Sequence, residues 1–313
     1  MPQPLCYAVG KLKYLKELDL GWSKITQTAA VTLADVLPSL QLLEKLVLKE
    51  IEFDNECQKY LCYAVGKLKY LNELRLEWSG MITQTGPVTF AEVLPSLQME
   101  KLMFGNIGFN DERQKHLFHA VGKLKYLKEF YFDGSKITQT GAITVADVLP
   151  SLQFLEVLVL GKFEFDNECQ KHLFHAVGKL KFLKKLGLGW SKITQTGAVT
   201  LAEVLPSLQL LEELVMNMIE FDDECQEHLF HSVGKLKYLK NFDLFCTKIT
   251  LAGAAALTDV FPTLRNLRLI VLSKIESEES ETSGDEESEE NETPKSKLKA
   301  AAHLVPGLEI RWL

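Results

Sequence analysis

Residues 15–41, LKELDLGWSKITQTAAVTLADVLPSLQ, and residues 43–70, LEKLVLKEIEFDNECQKYLCYAVGKLKY, each open on L-x-x-L-x-L and then switch to helical spacing. Both stretches recur. Leu15, Leu71, Leu127, Leu183 and Leu239 stand 56 residues apart, and Leu43, Met99, Leu155, Leu211 and Leu267 form a second such series 28 residues behind. The repeating unit is therefore a pair of alternating 28-residue halves, A (from Leu15) and B (from Leu43). Self-similarity at a fixed period of 20–50 residues is the mark of stacked architectures.

Within each half the last two apolar residues of the opening pattern, Leu18 and Leu20 or Leu46 and Leu48, alternate with period two, which predicts a strand. In B, Cys57, Leu61, Ala64, Val65 and Leu68 then mark one face of a helix. Asp54, Asp166 and Asp222 are expected N-caps, and Gly66, Gly178 and Gly234 expected C′ glycines. In A, Thr194 or Thr196 opens a helix that Pro206 stops, with Pro38, Pro95, Pro150 and Pro262 as equivalents. A strand, a crossover helix and a parallel strand, repeated about eleven times, predict an α/β solenoid. Strands sit about 4.8 Å apart and helices need about 10 Å, so the stack should curve into a horseshoe with a parallel β-sheet on its concave face and α-helices on its convex face.

These residues resemble leucine-rich repeats, whose strand signature is L-x-x-L-x-L-x-x-N/C-x-L. Units of 28 residues with a full helix are similar to the ribonuclease-inhibitor-like subclass, which includes the C-terminal sensor domains of cytosolic NOD-like receptors. The resemblance implies a cytoplasmic, non-catalytic domain that binds a protein or microbial ligand and restrains a neighbouring nucleotide-binding module of the parent chain. It implies no cofactor. Two other readings are a stand-alone regulator resembling Ran GTPase-activating proteins and a leucine-rich-repeat-only protein binding microbial surfaces. The Asn position of the signature is Ser23, Ser79, Ser135, Ser191 and Thr247 in A, but Ile51, Ile107, Phe163, Ile219 and Ile275 in B. Ile and Phe cannot hydrogen-bond, so half of the usual staple between repeats is expected to be missing.

The whole chain, 1–313, reads as one solenoid. Residues 1–14 match the end of a B helix, which suggests a C-terminal piece of a longer protein; 15–275 hold ten repeats. Segment 276–293 reads as acidic and disordered, an insertion that lengthens the last crossover by ten residues, and 294–313 as a last helix and an A-type strand built on Val305, Leu308 and Ile310. That insertion carries ten acidic residues and no basic one, which leaves 32 acids against 35 bases elsewhere. Such a balance argues against nucleic acid as a partner. No apolar run approaches the ~20 residues of a membrane span. Six cysteines in 313 residues are too few for a disulfide scaffold.

No phosphate loop surrounds the Gly-Lys pairs at Gly10, Gly66, Gly122, Gly178 and Gly234, and no nucleophile elbow or zincin helix is present. His116/His119, His172/His175 and His228/His231 are spaced i, i+3, which could hold a metal but suits helix packing better, since Tyr60 and Tyr63 take the same places. Cys57, Cys169 and Cys225 near helix starts read as packing residues, and the lysines of the K-L-K-Y segments as a solvated face.

The expected site is the concave face. Trp22, Trp78, Trp190 and Trp312 all fall two residues past the last strand leucine of an A half, as do Gly134 and Cys246. They should form a broken stripe of binding anchors. Asp19, Arg75, Tyr131, Gly187 and Asp243 occupy a second outward column that changes at every A half. Glu50, Asn106, Lys162, Met218 and Lys274 form a third such column in B. Glu17, Glu73 and Glu129, followed by Lys185 and Asn241, read as an acidic column that later changes sign. Thr282 and Ser283, each three residues before an acid, are candidate phosphorylation sites.

Overall fold

The L-x-x-L-x-L segments become strands because their alternate leucines bury on one side while the residues between them face outward. The computed structural model describes residues 3–21, 25–49, 55–77, 86–105, 110–219, 221, 223–273, 275 and 294–312. They fall into two units, residues 1–165 and 166–313.

In the first unit, strands β1 (Glu17–Asp19), β2 (Lys45–Lys49), β3 (Glu73–Glu77), β4 (Lys101–Gly105), β5 (Glu129–Asp133) and β6 (Val157–Leu160) pair in parallel and in chain order. The register is in phase, so Leu46, Leu74, Leu102, Phe130 and Leu158 stand side by side. Helices α1 (Gln3–Val9), α2 (Gln27–Val36), α3 (Asn55–Val65), α4 (Gly86–Val93), α5 (Asp111–Val121) and α6 (Gln139–Val148) pack one against the next. Between strands and helices lies a core that turns aromatic in the middle of the unit. Phe118 meets Phe130 and Phe132 at 6.2 and 5.1 Å, and Phe104 meets Phe90 at 5.9 Å, in edge-to-face geometry.

The second unit repeats the plan with β7 (Lys185–Gly187), β8 (Glu213–Val215), β9 (Asn241–Leu244), β10 (Leu269–Leu272) and β11 (Glu309–Trp312). Its helices are α7 (Asn167–Val177), α8 (Gln195–Val204), α9 (Asp223–Val233), α10 (Leu251–Val260) and α11 (Pro294–Ala302).

The expected helix boundaries hold where they are described. Thr194 caps α8, accepting from the Gly197 N–H at 3.1 Å, and Thr26, Thr138 and Thr250 cap α2, α6 and α10 in the same way. Asp166 caps α7 through the Cys169 N–H at 2.8 Å, while Asp54 and Asp222 lie outside the described residues. Each A helix ends in a short 3-10 turn carrying the expected proline.

The glycines that close the B helices have a different reason from the one expected. Gly122 and Gly178 are right-handed, with φ of −60° each, and neither Gly66 nor Gly234 is left-handed, so a C′ turn does not require them. A Cβ on Gly122 would meet Val148 Cβ at 2.7 Å, and one on Gly178 would meet Val204 Cβ at 2.9 Å. These positions are glycine so that the next A helix can approach closely. Ser151 and Ser207 then donate to the Gly122 and Gly178 carbonyls at 2.8 and 2.9 Å.

The staple between repeats is also present, but in another place. Gln114, Gln170 and Gln226 are fully buried on the B helices. Gln170 donates to the Lys192 carbonyl at 3.0 Å and accepts from the Thr194 N–H at 3.1 Å, which ties it to the start of the next helix. Gln114 makes the same bonds to Lys136 and Thr138, and Gln226 to Lys248 and Thr250. Near the strands, Thr247 accepts from the Ile219 N–H at 3.2 Å and donates to the Met216 carbonyl at 2.7 Å, so one hydroxyl serves both halves. Buried backbone groups are thus paired without the asparagine of the repeat signature.

Candidate recognition face

The side of each sheet away from the helices carries the residues that differ between repeats. Its first outward column is not an acidic stripe. Parallel pairing interleaves the A and B halves, so Glu17, Lys45, Glu73, Lys101 and Glu129 alternate across β1 to β5. Lys45 stands 3.8 Å from Glu17 and 3.6 Å from Glu73, and Lys101 lies 2.9 Å from Glu129. In the second unit Lys185 pairs with Glu213 at 2.8 Å. A parallel row in opposite phase includes Lys16 with Glu44 at 2.8 Å and Lys128 with Glu100 at 2.9 Å. Such partly exposed pairs each contribute at most about 1 kcal/mol, but together they neutralise this edge of the sheet.

The next column, two residues on, presents chemistry instead. Arg75 on β3 and Tyr131 on β5 flank Met103 on β4. Tyr131 donates to Glu129 at 3.0 Å, and the Lys101 ammonium lies 5.6 Å from its ring centre. Asp19 and Asp243 belong to the same column, but their carboxylates turn back to accept the Gly21 and Phe245 N–H groups at 2.7 and 2.8 Å. They shape the turn that follows the strand.

One column further, β3, β4 and β5 end on Glu77, Gly105 and Asp133. With no side chain at Gly105 or Gly134, a hollow of about 120 Å³ opens, walled by Arg75, Glu77, Met103, Tyr131 and Asp133. Glu77 pairs with Lys49 at 3.7 Å and with Arg75 at 3.3 Å. Sequence reading found Arg75 and Tyr131 but missed Glu77, Met103, Gly105 and Asp133. The signal was there, in a glycine between two acids once A and B halves are merged into one column.

The position two past the last strand leucine has a backbone signature of its own. Gly134, Lys162, Trp190, Met218 and Cys246 all have φ between 51° and 70°. Four of these five carry side chains in a conformation that disfavours them by about 1–2 kcal/mol. At Trp190 and Met218 the strain is held by ladder bonds from the N–H groups to the Asn217 and Phe245 carbonyls, at 2.9 and 2.7 Å. Trp190 is 54% exposed, so this ring is held outward at a strained turn, as binding anchors often are.

Trp190 and Trp312 do not share one column. Trp22 and Trp78 lie outside the described residues. Trp312 pairs with Leu272, 40 residues earlier, and so occupies the inward leucine column. Its ring is half-buried, with the Lys295 ammonium 4.8 Å from its centre. The last strand is therefore built on Ile310 and Trp312, and the insertion before it is twelve residues long. A two-residue slip preserves the alternation of a strand, which is why Val305 and Leu308 imitate the pattern. Both line a groove beside α11 instead.

The remaining candidates take structural places. His116, His119, His172, His175, His228 and His231 are exposed on the B helices, and among the described residues no three metal-binding side chains converge. Cys57, Cys169 and Cys225 are buried. Burial pushes the Cys169 thiol up to about 11 and that of Cys62 up to about 12. Iodoacetamide at pH 8 is therefore expected to label the exposed Cys246 and to spare Cys62 and Cys169 in the folded chain, read by peptide mass spectrometry. The acidic insertion, with Thr282 and Ser283, lies outside the described residues.

In-phase parallel strands, a helix in every half and leucine columns between them make each unit an α/β solenoid. The leucine-rich-repeat family matches residues 11–34. The chain resembles the mouse NACHT, LRR and PYD domains-containing protein 9B, with 24% identity over 289 residues. That match covers 89% of this chain and 28% of the mouse protein. Among solved structures it is similar to the internalin InlF of Listeria monocytogenes, with a TM-score of 0.48 and 12% identity, covering 99% of this chain and 88% of that one. Internalin C2 from the same organism has a TM-score of 0.40 and 14% identity, with coverage of 88% and 84%. No helix among the described residues is long and apolar enough to cross a membrane.

Proposed function

We propose that the chain is a non-catalytic recognition domain that binds a protein through the open face of its sheet, and that it serves as the sensor region of a cytosolic NOD-like receptor. One observation carries this reading: residues that hold the repeats together recur, while those of the second outward column on the open face do not. Gln114, Gln170 and Gln226, and the closing glycines Gly122, Gly178 and Gly234, repeat with identical partners. The second outward column instead reads Asp19, Val47, Arg75, Met103, Tyr131 and Val159 across the first unit. A duplicated scaffold with diversified outward residues is the arrangement that recognition requires.

The resemblance to a protein with a NACHT domain supports the receptor context. There, a partner that binds the open face would have to favour one of two states of a neighbouring nucleotide-binding module, and its differential affinity would set the size of the switch. The test is a pull-down from stimulated host lysate and microbial extract with folded variants. Arg75→Ala/Tyr131→Ala in the first unit, or Trp190→Ala in the second, should lose a partner that His116→Ala/His119→Ala on the helices retains. Loss only with the helix variant would move recognition to the other side and end the proposal.

A further inference from the structure

We propose that the turns leading into the strands form a rim that lays the first unit on a bilayer bearing anionic phospholipids. This surface is distinct from the open face of the sheet and its role is independent of protein recognition there. Residues 10–14, 66–70 and 122–126 each read Gly-Lys-Leu-Lys-Tyr, and they alternate with the turns at 38–42, 94–98 and 150–154. Two residues after each turn the backbone ladder is already in place, running from the Glu44 N–H on the Lys16 carbonyl to the Glu156 N–H on the Lys128 carbonyl. The turns therefore stack in register, and their tips form one row along this edge of the unit.

The tips are Tyr14, Leu42, Tyr70, Gln98, Tyr126 and Phe154, and all are exposed, Tyr14 to 87% and Tyr70 to 62%. Gln98 shows that the fold accepts a polar side chain at this place, so packing does not require the five apolar ones. The same six turns hold six lysines and no acid. Unlike Lys16, Lys45, Lys101 and Lys128, none of those six is ion-paired among the described residues. The A helices carry Asp35, Glu92 and Asp147 in their last turns, but none pairs with a rim lysine, and Glu92 instead accepts from the Tyr63 hydroxyl at 3.4 Å. Unpaired cations alternating with exposed rings and aliphatic tips fit an anionic bilayer. Lysines meet the headgroup charge, tyrosine rings sit at headgroup level, and leucine and phenylalanine reach the acyl boundary. A nucleic acid would use the lysines and the rings but gain nothing from Leu42. The second unit carries a similar row, Phe182, Leu210 and Tyr238, beside the lysines of its own Gly-Lys-Leu-Lys turns.

The test is sedimentation of the full chain with vesicles of phosphatidylcholine alone or mixed with phosphatidylserine. Binding is expected only to the mixed vesicles and should fall as salt is raised. A lysine near an anionic surface strengthens partition about fivefold, so Lys69→Gln/Lys125→Gln should weaken it by about 25-fold. Tyr70→Ser/Tyr126→Ser should weaken it severalfold. All four positions are exposed, so circular dichroism should be unchanged. Lys115→Gln/Lys171→Gln on α5 and α7 removes the same charge from the helices and should bind as the parent chain does. So should Arg75→Ala/Tyr131→Ala on the open face. Absence of binding to the mixed vesicles, or an equal loss with the helix pair, would overturn the proposal. Rim-dependent capture of single-stranded RNA without vesicle binding would also overturn it and assign the row to nucleic acid. The pull-down with the open-face variants stands apart from all these outcomes, so either idea can fail alone.

Discussion

Gly197→Ala is expected to lower stability by about 2–3 kcal/mol, although alanine is favoured over glycine in a helix by about 1 kcal/mol. The new Cβ would overlap Gln170 Oε1, which accepts from the Thr194 N–H while its amide donates to the Lys192 carbonyl. To make room the glutamine must leave, and buried polar groups on both sides lose their partners. The double variant Gln170→Ala/Gly197→Ala separates this from a propensity effect. With the glutamine already gone, Gly197→Ala should be neutral or stabilising, so the sign of the change reverses between backgrounds. The chain contains a natural version of that control. Gly141, Gly197 and Gly253 each follow a B-helix glutamine, whereas Ala29 takes the equivalent place where the residue corresponding to the glutamine is Pro2. Urea denaturation followed by circular dichroism measures Gly197→Ala, Gln170→Ala and the double variant. Equal losses in both backgrounds would mean that the glutamine is not the cause.

The second large effect is expected in the aromatic core of the first unit. Phe118→Ala should cost about 3–5 kcal/mol, since the ring is fully buried against Phe130 and Phe132. In a stack where each repeat touches only its neighbours, the damage should also stay local. Amide exchange should accelerate most in β4 and β5, while β8 and β9, whose cores pack around Leu214 and Phe242, keep most of their protection. A uniform loss of protection in both units would show that the chain unfolds as one cooperative block.

The periodic features of the fold were open to sequence reading because they depend on residues close together in the chain. Leucine spacing gives the strands, threonine and aspartate give the caps, and proline gives the stops. Features that depend on which columns meet were hidden. Glu17, Glu73 and Glu129 look like an acidic stripe until parallel pairing inserts Lys45 and Lys101 between them. Gly122 and Gly178 look like turn glycines, because sequence does not reveal that a valine of the next helix lies 2.7–2.9 Å from where a Cβ would be. Trp312 was misplaced by two residues, a slip to which a period of two is blind. Of the candidate site, Arg75 and Tyr131 were visible as varied outward residues, but the hollow between them is made by an absent side chain, and only the register locates it.

The central claim is that the open face of the sheet meets the partner. Two photo-cross-linking variants test it most directly, Met103→benzoylphenylalanine on the open face of β4 and Lys115→benzoylphenylalanine on the exposed side of α5. With a partner that the unmodified chain captures, the account predicts a covalent adduct from position 103 and none from position 115. An adduct from 115 with none from 103 would contradict it and assign recognition to the helices.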